Sequence, residues 1–131
     1  MSLSRDAILG AVDRPTREVE VPEWGGSVLV RGLSGAERDA YETGLMTPQP
    51  NGSVRSNLVN VRARLVAMAC VDAEGNRLFG DADVAALGDK SVVALDRVFS
   101  VARSMSGLSD DDVEDLAEGF GQAPNEVSAS V

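Results

Sequence analysis

Reactive side chains are sparse in this sequence, and their types bound the chemistry before anything is known of the fold. There is no histidine, which removes the commonest general base and the commonest metal ligand. Ser-His catalysis is thereby excluded. The one cysteine, Cys70, lies in the apolar run Leu65 to Val71. A thiol there has no imidazole partner and reads as a small core hydrophobe rather than a nucleophile. Being single, it forms no internal disulfide, which favours a reducing cytosol. Asp72-Ala73-Glu74-Gly75-Asn76 is similar to part of a calcium loop, but the aspartate spacing and the bidentate glutamate at the twelfth position are missing, and a hairpin turn accounts for it. Asp110-Asp111-Asp112 offers three carboxylates, yet consecutive residues of a helix point in different directions and a capping role explains all three. No phosphate-binding glycine pattern is present, and no pocket-forming motif nominates a carboxylate pair for acid/base work. The expectation is a chain with no catalytic residue, no cofactor and no metal, working by contact with other proteins.

For such a chain the informative residues are those that offer a contact. Trp24, beside the Gly25-Gly26 pair, is a candidate anchor for a partner, against the plainer reading that it covers one end of the core. Arg55, Arg62 and Arg64 form at most a weak basic patch, and a solvated helix face is the better reading.

The elements that must position these residues follow from the hydrophobic period. Ser4 to Ala11 suits a short capped helix stopped by Asp13-Arg14-Pro15, so residues 1–16 read as an N-terminal arm. Arg17 to Val21 and Ser27 to Arg31 alternate polar with apolar, and Gly25-Gly26 suits a two-residue hairpin turn. That turn places Trp24 opposite Ser27, Val21 opposite Val30 and Glu20 opposite Arg31, with Val19, Val21, Val28 and Val30 on one face. A lone hairpin is marginal in water, so this valine face must lie on helices or another strand pair. Ser34-Gly35-Ala36-Glu37 is a capping box opening a helix to about Gly44. Thr47 to Ser53 is a loop by composition. From Ser56 or Asn57 a central core helix is expected, with Leu58, Val61, Leu65, Met68 and Ala69 inward and Arg62 and Arg64 outward. Val71 to Phe79 reads as two very short strands around a Glu-Gly-Asn turn, and Gly80 to Gly88 as a short helix. Asp89 or Ser91 caps the next helix, in which Val92, Leu95, Val98, Phe99, Ala102 and Met105 mark one face opposite Asp96, Arg97 and Arg103, and which Gly107 ends. Leu108 to Val113 carries the signature of a last helix running to about Glu118. Residues 119–131 lack periodicity and read as a disordered tail. The fold class is therefore α+β, mainly α, with an N-terminal β-hairpin packed on about four to five helices, a second very short hairpin, and a single domain over residues 17–118.

Charge adds a constraint on partners. The chain carries a net −9, but residues 1–66 hold eight basic and eight acidic side chains, while residues 67–131 hold four and thirteen. From Leu108 onward there are seven acids and no base. Such an end is repelled by phosphate backbones, so neither nucleic acid nor an anionic membrane is an expected partner. No apolar run approaches the ~20 residues of a bilayer crossing, and no secretory signal is visible at Met1 to Asp6.

The order of segments resembles a known family. Val19-Glu20-Val21-Pro22-Glu23-Trp24-Gly25-Gly26, Val30 to Asp39, Ala63-Arg64-Leu65-Val66, Val71-Asp72 with Gly75 to Phe79, Ala94 to Val98 and Ser106-Gly107-Leu108-Ser109 together look like the tail assembly chaperones of long-tailed, siphovirus-type bacteriophages and prophages. The resemblance spans roughly residues 5–118. It implies a protein that coats the tape measure protein, keeps it soluble and helps recruit tail tube protein subunits, with self-association open. It further implies action in the cytoplasm of the bacterial host and absence from the mature virion. On this reading the contact falls on Trp24 and the hairpin with Val28, or on the open face of the helix carrying Val92, Phe99 and Met105. The alternatives are a structural tail or head-tail joining protein retained in the virion, or a small bacterial protein-binding adaptor.

Overall fold

The structure, a computed structural model, describes residues 1–108. In chain order it contains α1 (Arg5–Leu9), β1 (Thr16–Val21), a 3-10 turn (Pro22–Trp24), β2 (Gly26–Arg31), α2 (Gly35–Gly44), β3 (Met46–Pro48), β4 (Val54–Ser56), α3 (Val61–Ala69), β5 (Cys70–Val71), a second 3-10 turn (Asp81–Asp83), α4 (Val84–Gly88) and α5 (Val92–Met105). This is an α+β architecture, mainly helical, with the N-terminal hairpin and a short second one. The expected helix from Ser109 to Glu118, the tail over 119–131 and the domain boundary at 118 lie outside the described residues.

The hairpin forms with a different register from the one the glycine pair suggests. Val19 pairs with Val28, Glu20 with Ser27, Val21 with Gly26 and Thr16 with Arg31. The turn is four residues long. Pro22 opens a single 3-10 turn that Gly25 closes, donating its N–H to the Pro22 carbonyl at 3.0 Å. Gly25 is left-handed at φ 78°, while Gly26 already belongs to β2, so the two-glycine turn with both φ positive is not made. Glu20 therefore does not face Arg31, nor Val21 Val30, nor Trp24 Ser27. The slip is four positions in the pairing sum, an even number, so every side chain keeps its face. Val19, Val21 and Val30 are buried and Val28 half-buried, as the alternation requires. β5 adds a third strand on the far edge of β2, giving the antiparallel order β1-β2-β5.

The segment expected to be a loop, Thr47 to Ser53, lies largely within the second hairpin. Met46–Pro48 pairs with Val54–Ser56 across it. Composition hid these strands because two prolines and an Asn-Gly pair surround only three paired residues on each side. Conversely, the short strands expected over Val71 to Phe79 reduce to β5 and one bridge, Val71 to Arg77. Asp72 closes that turn, its Oδ1 accepting from the N–H groups of Glu74 and Asn76 at 2.9 Å each.

α3 is the central helix, as expected, but it begins four to five residues late. The Asn57 Oδ1 accepts from the Val59 N–H at 3.2 Å, and Asn60 turns left-handed at φ 56° before the first helical residue. This local competition for backbone donors holds the chain out of the helix. Leu58 is consequently exposed, not inward. Ala63, Leu65, Val66, Ala67 and Ala69 are all buried, so the helix is enclosed nearly all round rather than on one stripe.

α2 opens on the expected box. The Glu37 N–H donates to Ser34 Oγ at 3.1 Å, and the Ser34 N–H donates to Glu37 Oε1 at 2.8 Å. Ser91 caps α5 by accepting from the Val93 and Ala94 N–H groups. At the other end Gly107, at φ 72°, permits a Schellman closure in which the Leu108 N–H donates to the Arg103 carbonyl at 2.9 Å and the Gly107 N–H to that of Ser104. Leu108 is thereby tucked into the core.

Candidate partner-binding surface

The structure distributes the five candidate contact residues over two regions. Trp24 ends the first 3-10 turn, half-buried and packed against the core, and Val28, opposite Val19 on the inner face of the hairpin, packs against the same core. The hairpin tip is fastened to α5: Arg97 Nε and Nη2 donate to the two Glu23 carboxylate oxygens at 2.9 and 3.0 Å. This fork-on-fork pair holds the Glu23 carboxyl below its ordinary value of 4.5, chiefly through the arginine hydrogen bonds. Met105 is half-buried at the far end of α5, where its carbonyl abuts Gly32. Phe99 is buried, with the guanidinium of Arg103 5.2 Å from its ring centroid and that of Arg62 5.9 Å away. It presents those two cations outward rather than its own ring.

Val92 is the exception. It stands at the first turn of α5, 58% exposed, and lines a shallow groove of about 210 Å³ between the start of α3, the end of α4 and the start of α5. Leu58, Val61 and Leu95 share the groove wall, with Arg62 and Lys90 on its rim. Leu58 and Val92 are both about half exposed, and their chain neighbours Val59 and Val93 are exposed as well. Helical spacing from Ser56 or Asn57 would turn Leu58 into the core, whereas it lines the groove at 49% exposure. The signal that locates it is Asn57 and Asn60, two residues that favour local turns, three apart at the supposed helix start.

Of the three arginines read as a weak basic patch, two are engaged in structural contacts. Arg62 Nε donates to Asp96 Oδ1 at 2.6 Å. Arg64 donates to the carbonyls of Gly44 and Val59, tying the α2 end to the α3 start. Arg55 lies exposed on β4. Arg64, Arg103 and Arg62 all act electrostatically on Tyr41, but burial dominates and pushes its phenol up to about 12. Its hydroxyl donates to the Val61 carbonyl at 3.2 Å.

The other groups with chemical potential are engaged in structure. Cys70 is buried, and desolvation raises its thiol to about 12, so it is neutral at physiological pH. Asp72 is held below its ordinary value, first by the backbone N–H of Asn76. Among the described residues no group of three or more Cys, Asp and Glu is placed to hold a metal ion, and no helix is long and apolar enough to cross a membrane. The N-terminal arm contributes more apolar surface: residues 1–13 are all exposed, including Leu3, Ile8, Leu9 and Val12. It is rooted at Arg14, which donates to the Gly32 carbonyl at 3.1 Å and pairs with Glu37.

In comparison with known proteins, the chain matches no family model, no curated protein and no solved structure.

Proposed function

We propose that this protein is a tail assembly chaperone of a long-tailed bacteriophage, binding the tape measure protein and helping to recruit tail tube subunits, without chemistry of its own. The observation that supports it best is the exposed apolar groove around Leu58 and Val92, within a chain whose net charge of −9 keeps a complex with an apolar-faced client dispersed. A chaperone of a long helical client needs both features at once: somewhere to seat apolar helix faces and a like charge between neighbouring complexes. Trp24 and Val28 provide a second, smaller contact at the hairpin. The protein would act in the host cytoplasm and leave before the particle is complete.

The test is co-purification with a tape measure protein from the same genome. The wild-type chain is expected to retain that protein in the soluble fraction, and Leu58→Asp with Val92→Asp to lose it while keeping the native circular dichroism spectrum. Undiminished capture by the double variant would remove the groove from the mechanism. Detection of the chain in purified virions at stoichiometric levels would replace the chaperone reading with that of a retained tail component.

A further inference from the structure

We propose that the outer edge of β1 is a docking site for an extended segment of another protein, one that alternates basic with apolar side chains and adds to the sheet as a further strand. The inference stands apart from the groove and from the reading of function above.

The three-stranded sheet has one occupied edge and one open edge. On the β5 side the following chain turns back: Val71 bridges to Arg77, and the Leu78 N–H donates to the Cys70 carbonyl at 3.0 Å. On the other side, β1 has β2 as its sole neighbour among the described residues. Every second residue of an antiparallel strand turns its N–H and C=O away from its partner. Among the described residues no backbone hydrogen bond from outside the hairpin takes up those groups along Thr16–Val21. The strand has six residues in unbroken register with β2, so it presents ~20 Å of unpaired backbone at ~3.4 Å per residue. Proline is a common guard of such an edge, but Pro15 and Pro22 flank this one and leave its length free.

Charge selects the occupant. On the outer face β1 presents Glu18 and Glu20, both exposed, and among the described residues neither forms an ion pair. On the inner face Val19 and Val21 are buried against the core. A strand laid alongside sets its side chains directly opposite these, with Cβ atoms ~5 Å apart. Basic side chains then neutralise Glu18 and Glu20, and the apolar ones between them extend the valine face. The period of two in β1 thereby becomes the sequence pattern of its partner.

The same charges exclude a second copy. Two β1 strands related by a two-fold axis pair antiparallel, and opposite residues must come from the same face. A register centred on Arg17 sets that arginine against itself. One centred on Glu18 or Glu20 sets identical carboxylates together, and one centred on Val19 sets Glu18 against Glu20 on both sides. Like charges directly opposite are destabilising in each case. The edge therefore rejects its own copies while accepting a strand of opposite charge, which combines protection from aggregation with specificity.

Hydrogen exchange of the full chain reads this edge directly. In the free protein the outward N–H groups of Thr16–Val21 should exchange fast and the inward ones slowly. The probe is a fluorescently labelled peptide as long as β1 that alternates lysine with valine. It should bind saturably and slow exchange of the outward set. The same peptide with N-methylated amides keeps its charge and side chains but cannot pair, and should bind several-fold more weakly. Glu18→Lys with Glu20→Lys should lower affinity several-fold in ~0.15 M salt, where charges are screened beyond ~8 Å. Asp39→Lys with Glu74→Lys makes an equal change of net charge at two exposed positions and should lower it far less. Slow exchange of both sets in the free protein would mean that the edge is already covered, by another copy or by another part of the chain, and overturns the proposal. So does equal affinity for the N-methylated peptide, or no binding of the lysine-valine peptide.

Discussion

Replacing Gly32 by alanine tests whether the close contact between the end of β2 and the end of α5 is as rigid as its geometry requires. A Cβ on residue 32 would sit 2.9 Å from the Met105 carbonyl carbon and nearer still to its oxygen, both backbone atoms of a helix that is capped and cannot give locally. Either α5 moves or the Gly32 backbone moves. Two hydrogen bonds depend on that spacing: the Leu33 N–H to Ser106 Oγ at 3.0 Å, and Arg14 Nε to the Gly32 carbonyl at 3.1 Å. Overpacking a rigid contact costs ~1–3 kcal/mol, and each hydrogen bond lost adds ~1 kcal/mol. The variant should therefore be destabilised by about 3 kcal/mol, a large fraction of the ~5–15 kcal/mol that holds a domain together. At ~4 °C per kcal/mol for a chain of this size, Tm falls on the order of 10 °C. Thermal unfolding followed at 222 nm reads this directly. Gly35→Ala is the matched control, because a Cβ there meets nothing within 4 Å and residue 35 begins α2. It should hold or raise Tm, alanine being the better helix former by up to ~1 kcal/mol. If Gly32→Ala unfolds within 1–2 °C of the wild type, the two chain segments are not rigidly abutted and the reasoning fails.

Three further outcomes follow from the same geometry. Leu65→Ala should cost ~2–5 kcal/mol in a denaturant titration, as expected for a fully buried leucine, while Leu58→Ala, at a half-exposed position, should stay within ~1 kcal/mol. Cys70 should resist a thiol-specific disulfide reagent in the native protein and react fully in denaturant. Its thiol ionises near 9 when unfolded but at about 12 when folded. The unfolded state thus releases that proton first, so stability falls as pH rises from about 9 toward 12 and Cys70→Ala should flatten that decline. The Glu23 carboxyl, lowered from 4.5, has the opposite sense. Its stabilising contact with Arg97 is present above 4.5 and is lost as pH falls through the depressed folded value. Glu23→Gln should therefore shallow the acid-side loss of stability, and an unchanged acid limb would show the pair to be energetically idle.

Local chemistry wrote much of this molecule into its sequence. The capping box at Ser34 and Glu37, the Ser91 cap, the Gly107 stop and the alternation that puts four valines on one face each depend on residues a few positions apart, and each is found. The α+β class follows from their sum. Tertiary structure decided what local pattern leaves degenerate. The glycine pair at 25 and 26 permits two turn lengths that keep the same faces, and docking of Glu23 on Arg97 of α5 accompanies the longer one. Helical spacing from Leu58 to Ala69 does not reveal that Asn57 and Asn60 hold back the first turn, which opens the groove with Val92. Phe99 and Val92 lie on one stripe of α5 in sequence, yet one is buried under two arginines and the other is exposed. A helix face is set by its own period, but which part of that face stays open depends on how far the neighbouring helix extends beside it.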